Sequence, residues 1–114
     1  MTTLTIPTHT DARGRLLAIE WHQLDYTPAR VFVVTDAPVG AVRGDHTVPC
    51  RQTLVLVRGR VDVEYGPSAG SLSPVSLDRP GEAIDLRPGD YVRYRMTDAD
   101  STIVVLASEE YTGR

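Results

Sequence analysis

The clearest chemical signal in this sequence is a single histidine. His46 lies in the segment Arg43-Gly44-Asp45-His46-Thr47-Val48, directly ahead of a strongly β-forming run from Thr53 to Val57. A histidine can transfer a proton or donate a hydrogen bond near neutral pH. It can also be a loop residue whose ring is satisfied by the neighbouring Asp45. We take His46 as the first candidate catalytic residue.

Two arginines and two tyrosines have side chains that suit the same kind of site. Arg51 suits the binding of a carboxylate, enolate or phosphate, and its alternative role is a structural ion pair with an acid. Tyr94 and Tyr65 suit hydrogen-bond donation inside a cavity, with aromatic core packing as the alternative. Arg43 either contacts a ligand or braces a loop.

The remaining residue types narrow the chemistry. All 12 basic residues are arginine, which excludes a lysine Schiff base. Cys50 is the only cysteine, so an internal disulfide is excluded, and a small apolar role is favoured over a nucleophilic one. No glycine-rich loop of the phosphate-cradling kind is present. We expect no bound cofactor.

Length and charge restrict the class of protein. With 114 residues, 41% of them hydrophobic, the chain is long enough for one domain, 1–114, and too short for two. A formal net charge of -3 and scattered arginines argue against nucleic acid as a partner. No apolar stretch reaches the length of a membrane span, and the N-terminus lacks a signal-like pattern. We expect a cytoplasmic protein that acts on a small molecule.

These side chains must be positioned by β-strands. Alternating and β-branched runs recur about every ten residues between turn signals, whereas helical periodicity is nearly absent. The pattern indicates an all-β sandwich or barrel. Predicted strands are Thr3 to Ile6, Arg15 to Trp21, Arg30 to Thr35, Gln52 to Val57, Arg60 to Tyr65, Val75 to Leu77, Ala83 to Leu86, Tyr91 to Met96 and Thr102 to Ala107.

The faces of these strands differ in composition. Val61, Val63 and Tyr65 share one side of their strand, and we expect that side to look inward. Thr53 to Val57 and Ile103 to Leu106 are apolar on both sides, so they need cover from a second sheet or another subunit. In a chain this small we expect a homodimer.

Several short motifs are spread over nearly the whole chain in a fixed order and spacing. They are Asp11 to Glu20, Arg30-Val31, Arg43-Gly44, Gln52 to Gly59, Ser76 to Asp78 and Leu106 to Ser108. In these motifs the sequence resembles the nucleotide-sugar 3,4-ketoisomerases, small dimeric cupins that act on dTDP-4-keto-6-deoxyhexoses. The resemblance implies a single cupin-type double-stranded β-helix, which is a jelly-roll barrel.

The functional residues of that family match less well. Members typically read Arg-Gly-x-His-x-His, whereas Arg43 to Val48 holds one histidine. The following Glu is Arg51 here, a later Trp-His pair is Tyr91-Val92, and the family's tyrosine is Phe32 or Val33. A divalent metal needs three or four N, O or S ligands, which these positions do not supply. We therefore predict no metal and an altered proton-transfer site.

The resemblance also implies which side chains line the barrel. It directs Arg51 and Thr53 inward from one strand and Val92 and Tyr94 inward from another, with Tyr65 completing a mostly apolar wall. The predicted catalytic residues are His46, Tyr94 and Arg51, and the predicted substrate-binding residues are Arg43, Thr53, Tyr65, Phe32 and Val92.

An apolar wall favours a bulky, polyketide-like substrate over a sugar, because a sugar needs many converging hydrogen bonds. We therefore predict a metal-independent isomerase or cyclase of bacterial specialised metabolism, such as antibiotic biosynthesis. The alternative is a dTDP-4-keto-6-deoxyglucose 3,4-ketoisomerase that uses His46 with a tyrosine from another strand. A second alternative is a non-catalytic cupin that binds a small molecule.

Overall fold

The chain folds into two antiparallel sheets and a separate hairpin. The computed structural model describes residues 2–111. A short 3₁₀ helix covers Trp21–Gln23. The strands are β1 (Thr2–Thr5), β2 (Thr8–Asp11), β3 (Gly14–Leu17), β4 (Arg30–Val34), β5 (Val42–Thr47), β6 (Gln52–Arg58), β7 (Val61–Ser68), β8 (Ser71–Leu77), β9 (Glu82–Leu86), β10 (Tyr91–Met96) and β11 (Thr102–Ala107).

The order of the strands brings distant parts of the chain together. The five-stranded sheet runs β1-β9-β6-β11-β4, the four-stranded sheet runs β5-β10-β7-β8, and β2 pairs with β3 in the hairpin. The all-β prediction is confirmed. Met1 and residues 112–114, the ends of the predicted domain, lie outside the described residues.

Side chains from both sheets fill one core. Val61 and Val63 are buried and Tyr65 packs against them, so the predicted inward face of β7 is confirmed. The facing sheet contributes Leu54 and Leu56 from β6, together with residues of β9 and β11. Full burial of each such aliphatic side chain stabilises the fold by about 1.5–3 kcal/mol.

The outer face of the five-stranded sheet is covered by the N-terminal part of the chain. Ile6 and Leu17 pack against Val55 and Leu106, which lie on the outer side of β6 and β11. This contact explains why both strands are apolar on their two faces. The N-terminal segment of the same chain therefore supplies part of the cover that the sequence analysis expected from a second sheet or another subunit.

Gly59 turns the chain from one sheet into the other, since β6 and β7 belong to different sheets. Its φ of +78° is in the left-handed region, and a Cβ added there would lie 2.7 Å from the Cα of Ser101. Only glycine meets both conditions without strain.

Two strands have no counterpart in the prediction, namely β2 and β5. β5 is the more important one because it carries His46, and every residue of β5 except His46 is exposed. Such a segment has no apolar alternation by which to detect a strand. The predicted strand from Arg15 to Trp21 ends at Leu17 in the structure. Among residues 2–111, the structure has no helix with the length and apolar character needed to cross a membrane.

Candidate functional site

A cavity of about 430 Å³ lies between the two sheets. Its walls come from β4, β5, β6, β9, β10 and β11 and from the segment that follows β11. The lining combines apolar and polar side chains. The apolar ones include Phe32, Val34, Leu54, Leu86, Val92 and Val105. The polar ones include Arg30, Arg43, His46, Gln52, Tyr94, Glu109 and Glu110.

Two neighbouring strands bring the central polar groups together. In the pairing of β5 with β10, His46 lies opposite Val92 and Arg43 lies opposite Tyr94. Directly opposed residues of antiparallel strands share one face, with Cβ atoms about 4.5–5.5 Å apart. All four residues line the cavity, so the structure brings His46, Tyr94, Arg43 and Val92 together.

Tyr94 is the buried polar group of this patch, with 7% of its surface exposed. Burial raises the pKa of its hydroxyl above the usual value, and the nearby guanidinium of Arg43 offsets part of that rise. A tyrosine in this state is neutral at physiological pH and acts as a hydrogen-bond donor. It can therefore stabilise negative charge that develops on a substrate oxygen.

The cavity lining includes an arginine whose guanidinium contacts two aromatic rings. The guanidinium carbon of Arg30 lies 4.4 Å from the ring centroid of Phe32 and 5.0 Å from that of Tyr111. Cation–π contacts of this kind hold an arginine side chain in a fixed place. Phe32 thus lies in the cavity, and Glu109 and Glu110 also line it.

The orientation predicted for β6 is wrong. Leu54 and Leu56 face the core between the sheets, and Gln52 lies in the same phase and lines the cavity. Because successive side chains of a strand alternate, Arg51 and Thr53 point to the outer side of the sheet. Neither residue lines the cavity, which removes both from the site.

Arg51 is instead the centre of a polar network on that outer side. Its guanidinium lies 2.7 Å from Asp85 and 2.5 Å from Asp25. Thr53 donates to Asp85 over 3.1 Å, and the Thr53 and Tyr26 hydroxyls are 2.7 Å apart. The Arg51 contacts raise its pKa, with Asp25 as the largest cause, and lower that of Asp25. The alternative considered for Arg51, a structural ion pair, is the one that the structure supports.

Tyr65 occupies a third kind of position. Tyr65 is on β7, packs against the core and lies opposite Val92 of β10. It is not among the residues that line the cavity. Its predicted role as a hydrogen-bond donor to a ligand therefore has no support in the geometry. Among residues 2–111, no three His, Cys, Asp or Glu side chains cluster closely enough to hold a metal ion.

The cavity residues outside the predicted site include four charged or amide side chains, Arg30, Gln52, Glu109 and Glu110. Gln52 is 8% exposed and follows directly from the true phase of β6, which places it with Leu54. Arg30 shares the inward phase of β4 with Phe32, so period-two alternation could have found it. The two glutamates follow a strand end, where the sequence gives no periodic signal.

The fold is shared with solved sugar-modifying enzymes. A 3,4-ketoisomerase from Helicobacter canadensis matches with a TM-score of 0.86 and 21% identity, over 98% of this chain and 85% of the other. A TDP-quinovose 3,4-ketoisomerase from Campylobacter jejuni matches at 0.85 and 22%, over 98% and 87%. A 3'-monoepimerase from Streptomyces bikiniensis matches at 0.79 and 25%, over 96% and 64%. The predicted cupin-type barrel is confirmed.

The prediction of a cyclase for a polyketide-like substrate is wrong. The solved structures that share this fold are named as ketoisomerases and epimerases of nucleotide-linked sugars, which supports the broader prediction of an isomerase. The physical reason is the reversed phase of β6. It puts Gln52 in the cavity, and with Arg30 and the two glutamates the lining offers the hydrogen-bonding groups that a sugar requires.

Family membership follows from the sequence of the whole chain. A comparison with curated proteins finds no match. A family model does match, and it does so over residues 1–114. The resemblance on which the fold prediction depended is thereby confirmed, and the chain belongs to the family described as FdtA: WxcM-like, C-terminal.

Proposed function

We propose that this chain is a 3,4-ketoisomerase of a dTDP-4-keto-6-deoxyhexose. The observation that carries the proposal is the set of His46, Arg43 and Tyr94 on one patch of a cavity that also holds a buried amide, Gln52. Solved proteins with the same fold, including one in complex with TDP-4-keto-6-deoxyglucose, act on substrates of this class.

The cations of the cavity suit a nucleotide diphosphate. Arg30 and Arg43 both line it, and guanidinium groups bind phosphate oxygens through paired hydrogen bonds. The rings that flank Arg30, Phe32 and Tyr111, offer an apolar surface for a base or a sugar ring. The keto sugar would then lie deeper, near His46 and Tyr94.

The proposed reaction moves one hydrogen from C3 to C4, one hydrogen from O3 to O4, and the carbonyl double bond from C4 to C3. The His46 imidazole removes the proton from C3, the C3–H electron pair forms a C3=C4 bond, and the Tyr94 hydroxyl gives its proton to the C4 carbonyl oxygen as the enediol forms. The O3 proton then passes to the Tyr94 oxygen, C3 becomes the carbonyl carbon, and C4 receives the proton held by His46, so that the product is an isomer of the substrate. Tyr94 donates a hydrogen bond to the oxygen that carries negative charge along the way.

A single histidine is sufficient for this scheme if its imidazole acts first as the base at C3 and then as the acid at C4. The imidazole that accepts the C3 proton is protonated afterwards, and it can deliver a proton to C4 on the same face of the planar enediol. Tyr94 takes the place of the second acid, because burial keeps its hydroxyl protonated before the reaction begins.

Turnover of dTDP-4-keto-6-deoxyglucose by matched variants tests the proposal. We expect wild-type protein to form the 3-keto isomer, and we expect His46→Asn and Tyr94→Phe each to lower kcat by about 10²-fold or more, in line with the loss of a general base or an oxyanion donor. His9→Asn and Tyr26→Phe change the same residue types outside the cavity and should retain the activity. A wild-type protein that binds the nucleotide sugar without converting it would favour the non-catalytic cupin instead.

We also propose that the chain acts as a homodimer. Val31 and Val33 lie side by side on the outer face of edge strand β4, and 54% and 57% of their surfaces are exposed. A second copy of this chain packed against β4 would remove this apolar strip from water, and the edge of the sheet at β4 would not be left open. Sedimentation of wild type as a dimer and of Val31→Asp/Val33→Asp as a folded monomer is the expected result. A wild-type monomer at micromolar concentration would contradict it.

A further inference from the structure

His46 and Arg43 are three residues apart on the same strand, which should place them on opposite faces. In a regular strand, residues i and i+2 share a face, whereas residues i and i+3 do not. Yet both residues line the cavity. The strand must therefore contain one additional residue between them.

That residue is Asp45. The pairing of β5 with β10 shifts between Val92 and Arg93: Val92 lies opposite His46, but Arg93 lies opposite Gly44. Asp45 is left over, which is the definition of a β-bulge. Without the bulge, Arg43 would move into register with Arg95, whose side chain is exposed.

The backbone of the bulge has an unusual conformation. Gly44 and Asp45 have φ values of +73° and +58°, in the left-handed region that few residue types tolerate. Gly44 is also held close to β10, since a Cβ there would lie 3.2 Å from Cε1 of Tyr94. Glycine and aspartate are suited to these two positions, and the pair keeps the strand against Tyr94.

A hydrogen bond across the strands holds the bulged residue. The hydroxyl of Tyr91 donates to Oδ1 of Asp45 over 2.7 Å. Tyr91 lies directly opposite Thr47, on the far side of His46 from Asp45. The bond therefore spans His46 and ties the displaced aspartate to the neighbouring strand.

We infer that Asp45 and Tyr91 are positioning residues, which hold the bulge that directs both Arg43 and His46 into the cavity. This inference rests on the proposed function for its effect on turnover. The geometric part, that the bulge sets the direction of the His46 ring, does not depend on the reaction. Neither residue lines the cavity, so neither is expected to contact the substrate.

Two substitutions loosen the bulge in different ways. Tyr91→Phe removes only the donor hydroxyl, and Asp45→Gly removes the acceptor while tolerating a positive φ. Asp45→Asn keeps an acceptor oxygen and tolerates the left-handed conformation, so it should rescue most of the function. Asp36→Gly is the matched control, because Asp36 has a φ of +59° outside β5.

The first readout is NMR of the ligand-free protein. The chain has three histidines, His9, His22 and His46, so the ring signals of the other two serve as references. In wild type, the His46 ring should show nuclear Overhauser contacts with the methyl groups of Val92, its cross-strand partner. We expect these contacts to weaken in Tyr91→Phe and Asp45→Gly and to persist in Asp45→Asn and Asp36→Gly.

The second readout is turnover of dTDP-4-keto-6-deoxyglucose. A displacement of reacting groups by about 1 Å can lower a rate up to about 10²-fold. We expect Tyr91→Phe and Asp45→Gly to lower kcat by about tenfold or more, within that range, with an unchanged melting profile for Tyr91→Phe. Wild-type contacts and wild-type kcat in both variants would overturn the inference. Loss of the contacts in a protein whose wild type is inactive would uphold the bulge and refute the proposed function.

Discussion

Replacing Arg51 with methionine distinguishes a structural role of this residue from a catalytic one. The side chains of Arg51 and Asp85 are 16% and 18% exposed. The substitution leaves the Asp85 carboxylate without its nearest cation in a mostly buried position. Breaking a fully buried ion pair costs about 3–5 kcal/mol. Because Asp85 keeps the hydrogen bond from Thr53 and some contact with water, we expect a loss of about 2–3 kcal/mol.

Urea unfolding followed by circular dichroism measures this loss. Arg58→Met is the matched control: Arg58 pairs with Asp100 at 2.9 Å, but their side chains are 69% and 56% exposed. An exposed pair of this kind contributes less than about 1 kcal/mol. The double variant Arg51→Met/Asp85→Asn should recover part of the stability, because it no longer buries an unpaired charge.

The same variants are assayed for ketoisomerase turnover. With Arg51 on the outer side of β6, the activity of folded Arg51→Met should stay close to that of wild type. Two results would refute the reasoning. In the first, Arg51→Met is no less stable to urea than Arg58→Met. In the second, Arg51→Met is as stable as wild type but loses as much activity as His46→Asn does. The second would return Arg51 to the cavity.

Three further perturbations test the electrostatics and the packing. The hydrogen bond from Arg51 lowers the pKa of Asp25. This carboxylate therefore stabilises the fold above its unfolded-state pKa of about 4, and the stabilisation is lost as the pH falls through the lower folded-state pKa. The urea midpoints of wild type and Asp25→Asn should differ at pH 7 and converge in acid. Gly59→Ala should lower the free energy of unfolding by about 2 kcal/mol or more, because it adds left-handed strain and a contact with Ser101. Leu56→Ala, at a fully buried position, should cost about 2–5 kcal/mol in the same urea assay.

The sequence carried enough information for the architecture and for part of the candidate site. Strand positions in the second half of the chain followed from alternation, and β10 and β11 have the predicted bounds. Val92 and Tyr94 followed from the phase of β10, where polar residues alternate with apolar ones. A strand with two different faces reveals its orientation through its side chains.

β6 shows why the rest of the site could not be derived in this way. Its residues from Thr53 to Val57 are apolar on both sides, since one side packs in the barrel and the other beneath the N-terminal segment. A period of two identifies such a strand but not its direction. A slip of one residue exchanged Arg51 for Gln52 and made the predicted cavity more apolar than the cavity that forms.

β5 shows a different limit. Its bulge interrupts the alternation, so Arg43 and His46 share a face although their separation is odd. Gly44-Asp45 is a local signal for a positive φ, but the sequence does not say which strand lies opposite and where the register shifts. That information comes from the pairing of residues that are far apart in the chain.

Incubation of wild-type protein with dTDP-4-keto-6-deoxyglucose in D₂O, followed by proton NMR, tests the central claim most directly. An active ketoisomerase would remove the hydrogen at C3, and a 3-keto isomer would accumulate. Its C4 carries deuterium to the extent that the protonated His46 exchanges with solvent before it delivers its proton, and otherwise carries the hydrogen taken from C3. We predict this product with wild type and its near absence with His46→Asn. A sugar that keeps its C3 hydrogen and yields no isomer, although the protein is folded and binds it, would contradict the assignment of this cavity as a ketoisomerase site.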